Sequence, residues 1–486
     1  MEQETVTGVL AQPFYLGLAA AAYALLQIAG VVAALHATFN ARSSQGATAW
    51  AIALIAMPMV ALPAYLLFGR RRFHGYVSAR RLADRDHADL IRQVNSFCDG
   101  FRSNLPDRHG TLLSLERLAN LPFTRGNEVR LLIDGEEAFA AIFDAIDKAQ
   151  HYLLIQFFIL RHDNIGEELK DRLAAKVRGG VPVYMLYDEI GSHKLSRRYL
   201  RECRAAGIDI RPFQTTKGFA NRFQLNFRNH RKIVVADGDL AFLGGLNVGD
   251  EYLGRDERVG HWRDTHVSVA GPAADAVQLI FFEDWYWATG ELLQNLDWQA
   301  REAGDADVLI LPSGPADRLE TCNLMFVQAI NTARHRIWIA SPYFVPNDEV
   351  ISALQLAALR GVDVRILLPA NPDHLLVYLA SFSYISRTGV EGIRFYRYTD
   401  GFMHQKVFLI DDMAAGIGTA NIDNRSFRLN FEITLLAIGG QVAESTRTML
   451  ENDFAASHEV RHDEIDQRSF LFQVGSRAAR LLSPIL

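Results

Sequence analysis

Two stretches of the chain carry side chains that could do chemistry. "NHRKIVVADGDLAFLGGLN" (229–247) opens with His230 and Lys232, and "MHQKVFLIDDMAAGIGTAN" (403–421) opens with His404 and Lys406. A buried strand does not ordinarily begin with side chains that are costly to bury. Imidazole titrates near neutral pH and lysine offers a point charge to phosphate, so these pairs indicate proton transfer at an anionic group.

Both stretches follow one pattern: H-x-K, four residues, Asp, six residues, then G-[GT]-x-N. The shared residues are His230, Lys232, Asp237, Gly244, Gly245 and Asn247 in the first copy, and His404, Lys406, Asp411, Gly418, Thr419 and Asn421 in the second. One H-x-K-x(4)-D can occur by chance. Two copies with the same Gly and Asn, each at the same place in a repeat, are strong evidence for one composite site.

Each stretch predicts a β-hairpin. His and Lys two residues apart on a strand point to the same face, and "DGD" after "IVVA" is a tight-turn signal. The returning strand brings Asn247 back near His230. Asp237 lies seven residues along, about 23 Å at 3.3 Å per residue. We therefore predict that Asp237 and Asp411 belong to the catalytic motif as turn or framework acids, without carrying protons.

Two such hairpins facing each other would bind a tetrahedral anion with two ammoniums and two carboxamides. One His could attack phosphorus while the other protonates the leaving oxygen and later deprotonates the incoming nucleophile. Each imidazole also needs an orienting acid. Glu432 in "RLNFEI" and Asp264 in "WRDTH" are the candidates, and which acid serves which His stays open.

A metal site is the alternative use of the same four residues, His230, His404, Glu432 and Asp264. The adjacent lysines disfavour a cation, so we predict neither a metal nor a cofactor. Two further stretches are ambiguous. "YDEIGS" (187–192) fits a substrate contact or a turn equally, and "FFEDWYW" (281–287) favours aromatic packing over a lipid site.

The elements that must position the hairpins occur twice in the same order. The first copy contains the strands "HYLLIQFFIL", "VPVYMLYD" and "IDIRPF", and the second contains "HRIWIASPYFV", "VDVRILLPA" and "IRFYRY", with helical stretches between them. Strands alternating with helices predict βαβ units, a mostly parallel sheet, and two similar α/β domains packed face to face. We assign a connector at 76–126, a first domain at 127–305 and a second at 306–486, with the boundary in "REAGDAD".

The N-terminal 75 residues differ from the rest. Residues 14–35 form an uncharged run of 22, which at about 1.5 Å per residue can cross a bilayer core of about 30 Å. A second apolar run at 47–68 contains Pro58 and Pro63, which membrane helices tolerate. The leader "MEQETVTG" is acidic, unlike that of a signal peptide. Residues 1–75 are therefore predicted to be a two-helix transmembrane anchor.

Arginines indicate which side of the membrane holds the rest of the chain. The predicted loop contains Arg42 alone, whereas six arginines follow the second run: Arg70, Arg71, Arg72, Arg80, Arg81 and Arg85. The positive-inside rule places that side in the cytoplasm. The net charge of −6 argues against a nucleic-acid partner. Cys98, Cys203 and Cys322 are far apart and indicate inert thiols in a reducing compartment.

At these motifs the sequence resembles the phospholipase D superfamily, and within it the bacterial cardiolipin synthases. The likeness covers essentially the whole chain, from "ARSS" and "YLLFGR" near the N-terminus to "RLLSPIL" at the C-terminus. Between these lie "QLNFRNHRKIVVADG", "GGLNVGDEYLG", "HWRDTHVSVAGP" and "GTANIDNRSFRLNFE". Gly245 stands where many superfamily members carry Ser, a common variation in this branch.

The resemblance implies two α/β domains about a pseudo-two-fold axis, with the site in the cleft between them. It implies ping-pong catalysis through a phosphohistidine, with His230 as nucleophile and His404 as general acid/base. Lys232, Lys406, Asn247 and Asn421 would hold the phosphodiester, while Glu432, 28 residues after His404, would orient an imidazole. The implied reaction joins two phosphatidylglycerols into cardiolipin and glycerol at the bacterial inner membrane.

Three other functions remain to be distinguished. A phospholipase D-type hydrolase, or a transferase using another alcohol, would share the site. A nuclease of the superfamily is disfavoured by the apolar N-terminus and the acidic net charge. A lipid-binding scaffold without activity is disfavoured because both motifs are intact.

Overall fold

The computed structural model describes residues 3–40, 44–69, 100–107, 110–213, 227–257, 259–299 and 301–483. These fall into two compact units. The N-terminal unit holds the described residues up to Gly69, and the main unit holds those from Gly100 onward.

The described residues of the N-terminal unit form the helices α1 (Gln3–Asn40), α2 (Ser44–Ala56) and α3 (Pro58–Phe68). Among the described helices, one segment, Tyr15–Asn40, is long and apolar enough to cross a membrane. The second apolar run forms two helices instead of one continuous helix, with the break at Met57. Pro58 has no backbone N–H to donate and takes the first position of α3, where none is needed. The arginines that predict orientation, from Arg70 to Arg85, lie outside the described residues.

The main unit alternates helices and strands, as predicted. Its helices are α4 (Thr111–Ala119), α5 (Asp134–Lys148), α6 (Asn164–Arg178), α7 (Arg197–Ala205), α8 (Pro272–Thr289), α9 (Thr321–Thr332), α10 (Asp348–Leu359), α11 (Leu375–Thr388), α12 (Asn424–Arg428), α13 (Gly440–Ala455) and α14 (Phe470–Leu481). Among its described residues, 3-10 turns cover Asp250–Leu253 and Glu464–Gln467.

The strands of the first half are β1 (Thr124–Ile133), β2 (Leu153–Phe157), β3 (Val183–Asp188), β4 (Asp209–Phe213), β5 (Arg228–Asn229), β6 (Ile233–Ala236), β7 (Leu240–Gly244), β8 (Trp262–Arg263) and β9 (Thr265–Ala270). Those of the second half are β10 (Ala306–Ser313), β11 (Arg336–Ala340), β12 (Phe344–Val345), β13 (Asp363–Pro369), β14 (Ile393–Tyr398), β15 (Phe402–Met403), β16 (Val407–Ile410), β17 (Ala414–Gly418), β18 (Ile422–Asp423), β19 (Asn430–Ile438) and β20 (Ser457–Val460).

The duplicated α/β fold is confirmed by the strand pairing. β2, β3 and β4 pair in parallel, and β11, β13 and β14 do the same in the second half. Each motif forms its predicted hairpin, β6–β7 and β16–β17, and β6 and β16 pair antiparallel with β2 and β11, the first strands of the two parallel trios. In both halves a glycine with positive φ follows the second helix, Gly180 after α6 and Gly361 after α10.

The prediction of a mostly parallel sheet is wrong. The strand order is β20-β14-β13-β11-β16-β17-β19-β10-β1-β9-β7-β6-β2-β3-β4, and parallel pairing along it is confined to the two trios. The hairpins must pair antiparallel because a tight turn reverses the chain. The two halves also join edge to edge, because β1 pairs antiparallel with β10 and places Thr124 opposite Val308.

The two described cysteines are inert by position. Cys203 and Cys322 are buried and free, and burial raises the pKa of Cys203 to about 12. Cys98 lies outside the described residues. "FFEDWYW" falls in α8, where Phe281, Phe282 and Trp285 belong to the core, so the packing interpretation holds.

Candidate active site

Each motif strand begins against the opposite half of the molecule. β5, just before His230, pairs with the start of β19, and the His230 N–H donates to the Phe431 carbonyl at 2.9 Å. In the same way β15 pairs with β8, and the His404 N–H donates to the Arg263 carbonyl at 2.8 Å. The backbone of each half thus carries the acid that follows, Glu432 or Asp264, to the histidine of the other half.

The two acids pair with the histidines in a crossed arrangement. Nδ1 of His230 lies 2.8 Å from Oε2 of Glu432, and Nδ1 of His404 lies 2.8 Å from Oδ2 of Asp264. Both carboxylates are fully buried, and the two histidines are 8% and 7% exposed. The pairing that the sequence left open is therefore between halves in both cases.

Three further side chains hold the Glu432 carboxylate. Thr419 Oγ1 donates to Oε2 at 2.6 Å, while Ser426 Oγ and Asn430 Nδ2 donate to Oε1 at 2.8 and 3.1 Å. Burial alone would raise the pKa of Glu432, but His230, Lys232 and Thr419 together hold it below its ordinary value. Sequence reasoning did not assign Ser426 or Asn430, and their only signal is proximity to Glu432 along the chain.

Asp264 is held in a tighter space. Its Oδ1 accepts from the Thr265 N–H at 2.8 Å, and its Oδ2 lies 3.4 Å from Nε1 of Trp262. A Cβ placed on Gly245 would lie 1.9 Å from Oδ1 of Asp264. This contact gives a physical reason for glycine at the position that Thr419 occupies in the second motif, since a side chain there would displace the carboxylate.

The two lysines are buried beside the histidines. Lys232 is fully buried, and its Nζ donates to the His230 carbonyl at 2.7 Å. Lys406 Nζ donates to the His404 carbonyl and lies 2.8 Å from Nδ1 and 3.1 Å from Nε2 of His404. Burial lowers the pKa of Lys406 to about 8 and that of Lys232 well below its ordinary value. Each would gain a counter-charge from a bound phosphate.

The electrostatics favour neutral imidazoles beside ionised acids. Burial lowers the pKa of His230 and of His404 to about 4, against the opposing effect of Glu432 and Asp264. Burial would raise the pKa of Asp264, but Lys406 and His404 keep it below its ordinary value. A neutral imidazole bound to a carboxylate through Nδ1 carries its proton there, which leaves a lone pair on Nε2.

The residue between His and Lys anchors each strand from the opposite face. Arg231 pairs with Asp284 on α8 at 2.8 Å, and both side chains are buried. Gln405 donates to Asp453 on α13 at 2.7 Å, and Asp453 also pairs with Arg263. Sequence analysis missed both acids. The alternation of a strand predicts that the middle residue faces away from the site, but not which helix meets it.

The carboxamides predicted to hold the phosphodiester are already engaged. Asn247 accepts from the Ile159 N–H at 3.0 Å and donates to the Tyr252 hydroxyl at 3.0 Å. The Asn421 amide bonds Asp423, and its Oδ1 is buried with no hydrogen-bond partner among the described residues. An amide nitrogen has two hydrogens, so each side chain keeps at most one N–H for a phosphate.

Asp237 and Asp411 lie at the far turns of the hairpins, away from the histidines. Asp237 accepts from the backbone N–H groups of Gln150, His151 and Tyr152 at 2.7, 2.7 and 2.9 Å. Asp411 accepts in the same way from residues 334, 335 and 336. Both have positive φ, 55° and 53°. Their contacts place them in the framework that ties each hairpin to the chain before β2 or β11.

Asp188 of "YDEIGS" also serves a turn. Its buried carboxylate accepts from the backbone N–H groups of Ile190, Gly191 and Asn229 at 2.8 to 2.9 Å. Burial raises its pKa to about 6. The Asn229 bond connects this turn to the residue before His230, so Asp188 supports the site without entering it.

Comparison with known proteins identifies the family. A family model described as cardiolipin synthase, PLD-like domain, matches residues 142–278 and 326–454, and one described as phospholipase D-nuclease N-terminal matches residues 28–70. Cardiolipin synthase A of Pseudomonas putida (strain W619) is 46% identical over 465 residues, which cover 95% of this chain and 97% of the relative. The chain belongs to the cardiolipin synthase family of the phospholipase D superfamily.

Another member of the cardiolipin synthase family is equally similar. Cardiolipin synthase A of Pseudomonas fluorescens (strain SBW25) is 47% identical over 466 residues, covering 95% of this chain and 97% of the relative.

Among solved structures, the phosphatidylserine synthase of Haemophilus influenzae Rd KW20 superimposes with a TM-score of 0.58 at 16% identity, covering 78% of this chain and 100% of that one. That likeness shows a shared fold.

Proposed function

We propose that this member of the cardiolipin synthase family transfers a phosphatidyl group between two phosphatidylglycerol molecules, giving cardiolipin and glycerol through a phosphohistidine. The single observation that carries the proposal is the crossed pair of histidine–carboxylate contacts, His230 with Glu432 and His404 with Asp264, each 2.8 Å. Two buried, oriented imidazoles flanked by two lysines suit an in-line exchange at one phosphorus.

His230 is the proposed nucleophile. Its Nε2 has no hydrogen-bond partner among the described residues, whereas Nε2 of His404 lies 3.1 Å from the Lys406 ammonium. In the first step, the bound phosphate anion favours a protonated His404. Nε2 of His230 then bonds to phosphorus, the bond from phosphorus to glycerol oxygen breaks, and His404 donates its Nε2 proton to the departing glycerol oxygen. In the second step, a hydroxyl of another phosphatidylglycerol loses its proton to His404 and attacks phosphorus, which releases His230.

The burial of the site favours an alcohol acceptor. With both histidines less than a tenth exposed, little room remains for bulk water beside the phosphohistidine. A glycerol hydroxyl delivered on a lipid can occupy that space. Lys232 and Lys406 would neutralise the phosphate oxygens during both steps.

We also propose that the chain spans the bacterial inner membrane twice, with the main unit on the cytoplasmic side. Tyr15–Asn40 supports one span, and the arginine-rich sequence after Phe68 supports the orientation. A reporter enzyme fused at the C-terminus tests it. Activity of a reporter that works only in the periplasm would contradict the proposal.

The decisive experiment is product analysis on phosphatidylglycerol vesicles. We expect cardiolipin and glycerol in equal amounts from the full-length protein. Phosphatidic acid without cardiolipin would identify a hydrolase instead, and a phosphatidyl ester of an added alcohol would identify a transferase with another acceptor.

The covalent step is tested with His404→Ala and labelled phosphatidylglycerol. We expect the label to accumulate on His230, because the proton acceptor for the second step is missing. His230→Ala should trap no label, and His458→Ala, on an exposed strand-end residue, should behave as wild type. Label on His404 in the His230→Ala variant would reverse the two assignments.

A further inference from the structure

Helix α14 presents its apolar residues to solvent and its small residues to the protein. Phe470, Leu471 and Leu481 are 75%, 80% and 78% exposed, while Ser476 and Ala479 are 0% and 3% exposed. A surface helix of a soluble protein ordinarily shows the opposite pattern. The packing of this helix therefore does not explain its apolar residues.

The exposed apolar residues form one continuous stripe. At 100° per residue, Phe470, Leu471, Val474 and Leu481 fall within an arc of about 100°. The opposite side packs on α11, where Ser476 Oγ donates to the Leu379 carbonyl and contacts Ser383 Oγ, both at 2.7 Å. Leu375 and Leu376, at the start of α11, are 65% and 48% exposed and add to the same kind of surface.

Arginines border the stripe. Arg477 and Arg480 lie at its edge on the helix, and neither forms an ion pair within the described part of the chain. They line an open groove with Arg387 of α11 and the apolar side chains of Val474 and Leu481. Guanidinium groups beside an exposed apolar stripe match the phosphates and acyl chains of an anionic lipid surface.

The start of α11 also leads toward the proposed active site. Asp373 and His374, which precede α11, line a small cavity together with Tyr343 and the buried Arg397. The Asp373 carboxylate is among the charges that act on the pKa of His404. The start of α11 is therefore close enough to His404 for the charge of Asp373 to act on it.

We propose that the outward stripe of α14, with the start of α11, binds the interfacial region of an anionic bilayer. This contact is additional to the N-terminal helices and does not rest on the proposed reaction. It would hold the main unit against the lipid surface and fix which side of it meets the membrane.

Spin labels on the full-length protein in nanodiscs test the proposal. Cysteine is placed at Leu471 or Leu481, with the three native cysteines replaced by alanine, and at Leu359 of α10 as a control that is 72% exposed. In discs containing phosphatidylglycerol, we expect the ratio of oxygen to water-soluble nickel accessibility to be several-fold higher at Leu471 and Leu481 than at Leu359.

Charge is tested in the same samples. Arg477→Gln with Arg480→Gln should lower that ratio at Leu471, and so should replacing the anionic lipid with phosphatidylcholine. Nickel accessibility at Leu471 equal to that at Leu359 would overturn the proposal. Protection from both reagents, with dipolar broadening between labels on two protein molecules, would also overturn it, since it would identify the stripe as an interface between copies.

Discussion

Glu432 lies 2.8 Å from Nδ1 of His230, although 202 positions separate the two residues. The histidine and its carboxylate come from different halves of the duplicated fold, and the same is true of His404 and Asp264, 140 positions apart. Neither half holds a complete histidine–acid pair. The edge-to-edge pairing of β1 with β10 is therefore part of what builds the site.

Glu432→Gln should slow cardiolipin formation about tenfold to a hundredfold, since a hydrogen bond to a charged group contributes about 1.5–3 kcal/mol. The amide keeps the shape of the side chain but loses the charge that orients His230. Thr419→Val removes only one donor to that carboxylate, so we expect a smaller loss, about fivefold for a bond of about 1 kcal/mol. Initial rates on phosphatidylglycerol vesicles measure both, and a wild-type rate for Glu432→Gln would contradict the orienting role.

Gly245→Ala should inactivate the enzyme because it displaces the carboxylate of Asp264. The added Cβ would meet Oδ1 at 1.9 Å and push the carboxylate away from His404. A displacement of about 1 Å in a positioning residue can cost about a hundredfold in rate. The control is Gly100→Ala, where an added Cβ meets no atom within 4 Å. Equal rates for the two variants would show that Asp264 can move without consequence.

Asp284→Asn should destabilise the protein by about 3–5 kcal/mol, the usual cost of leaving one partner of a buried ion pair uncompensated. Arg231, next to His230, would lose its charged partner on α8. The exposed pair Arg198–Glu202 provides the control, since solvent screens it and Arg198→Gln should leave the unfolding midpoint nearly unchanged. Urea unfolding in detergent compares them, and similar midpoints would refute the anchoring role.

Asp237→Asn and Asp411→Asn test whether these carboxylates stabilise the fold or take part in the reaction. Each variant should lose stability by about 1–3 kcal/mol, because backbone N–H groups lose a charged acceptor. The rate per folded molecule should stay at the wild-type value, since neither carboxylate contacts His230 or His404. The fraction folded is measured by unfolding and the rate by cardiolipin formation. A loss of rate without a loss of stability would place the acids in the chemistry.

The histidines should make the protein acid-labile. The folded-state pKa of His230 and of His404 is about 4, below the value of about 6.5 for an unfolded imidazole. Between about pH 6.5 and 4 the unfolded chain therefore binds more protons than the folded protein. As the pH is lowered through this window, the free energy of unfolding decreases by up to about 1.4 kcal/mol per pH unit for each histidine.

Variants test the sign of that effect. His404→Gln should flatten the dependence of the unfolding free energy on pH in this window. His261→Gln should leave the slope in this window nearly unchanged and alter it above about pH 6.5, because burial is outweighed by Asp134 and the Asp400 carbonyl, which raise the pKa of His261. The other histidines contribute to the pH dependence of the unfolding free energy in all three proteins. The difference between a variant and wild type therefore reports on the replaced histidine. Identical slopes for all three would contradict the assigned pKa directions.

Local patterns were sufficient to predict much of this molecule. The repeat, both hairpins and the far-turn positions of Asp237 and Asp411 follow from strand periodicity and turn residues. The crossed pairing does not, because it depends on β1 meeting β10 and on β5 and β15 crossing to the opposite half. The role of Gly245 could not be predicted from local sequence either, because Oδ1 of Asp264, which an added Cβ would meet, lies on a different segment of the chain.

The exchange of acids between halves also bears on how such a chain could arise. An ancestor with one motif would hold a histidine but no acid positioned for it within the same copy. Two copies related by a two-fold axis would supply each other's acid, as any isologous dimer exchanges its contacts. Fusion of two such genes would preserve both pairs, and afterwards each copy could diverge, as the Gly245 and Thr419 positions have done.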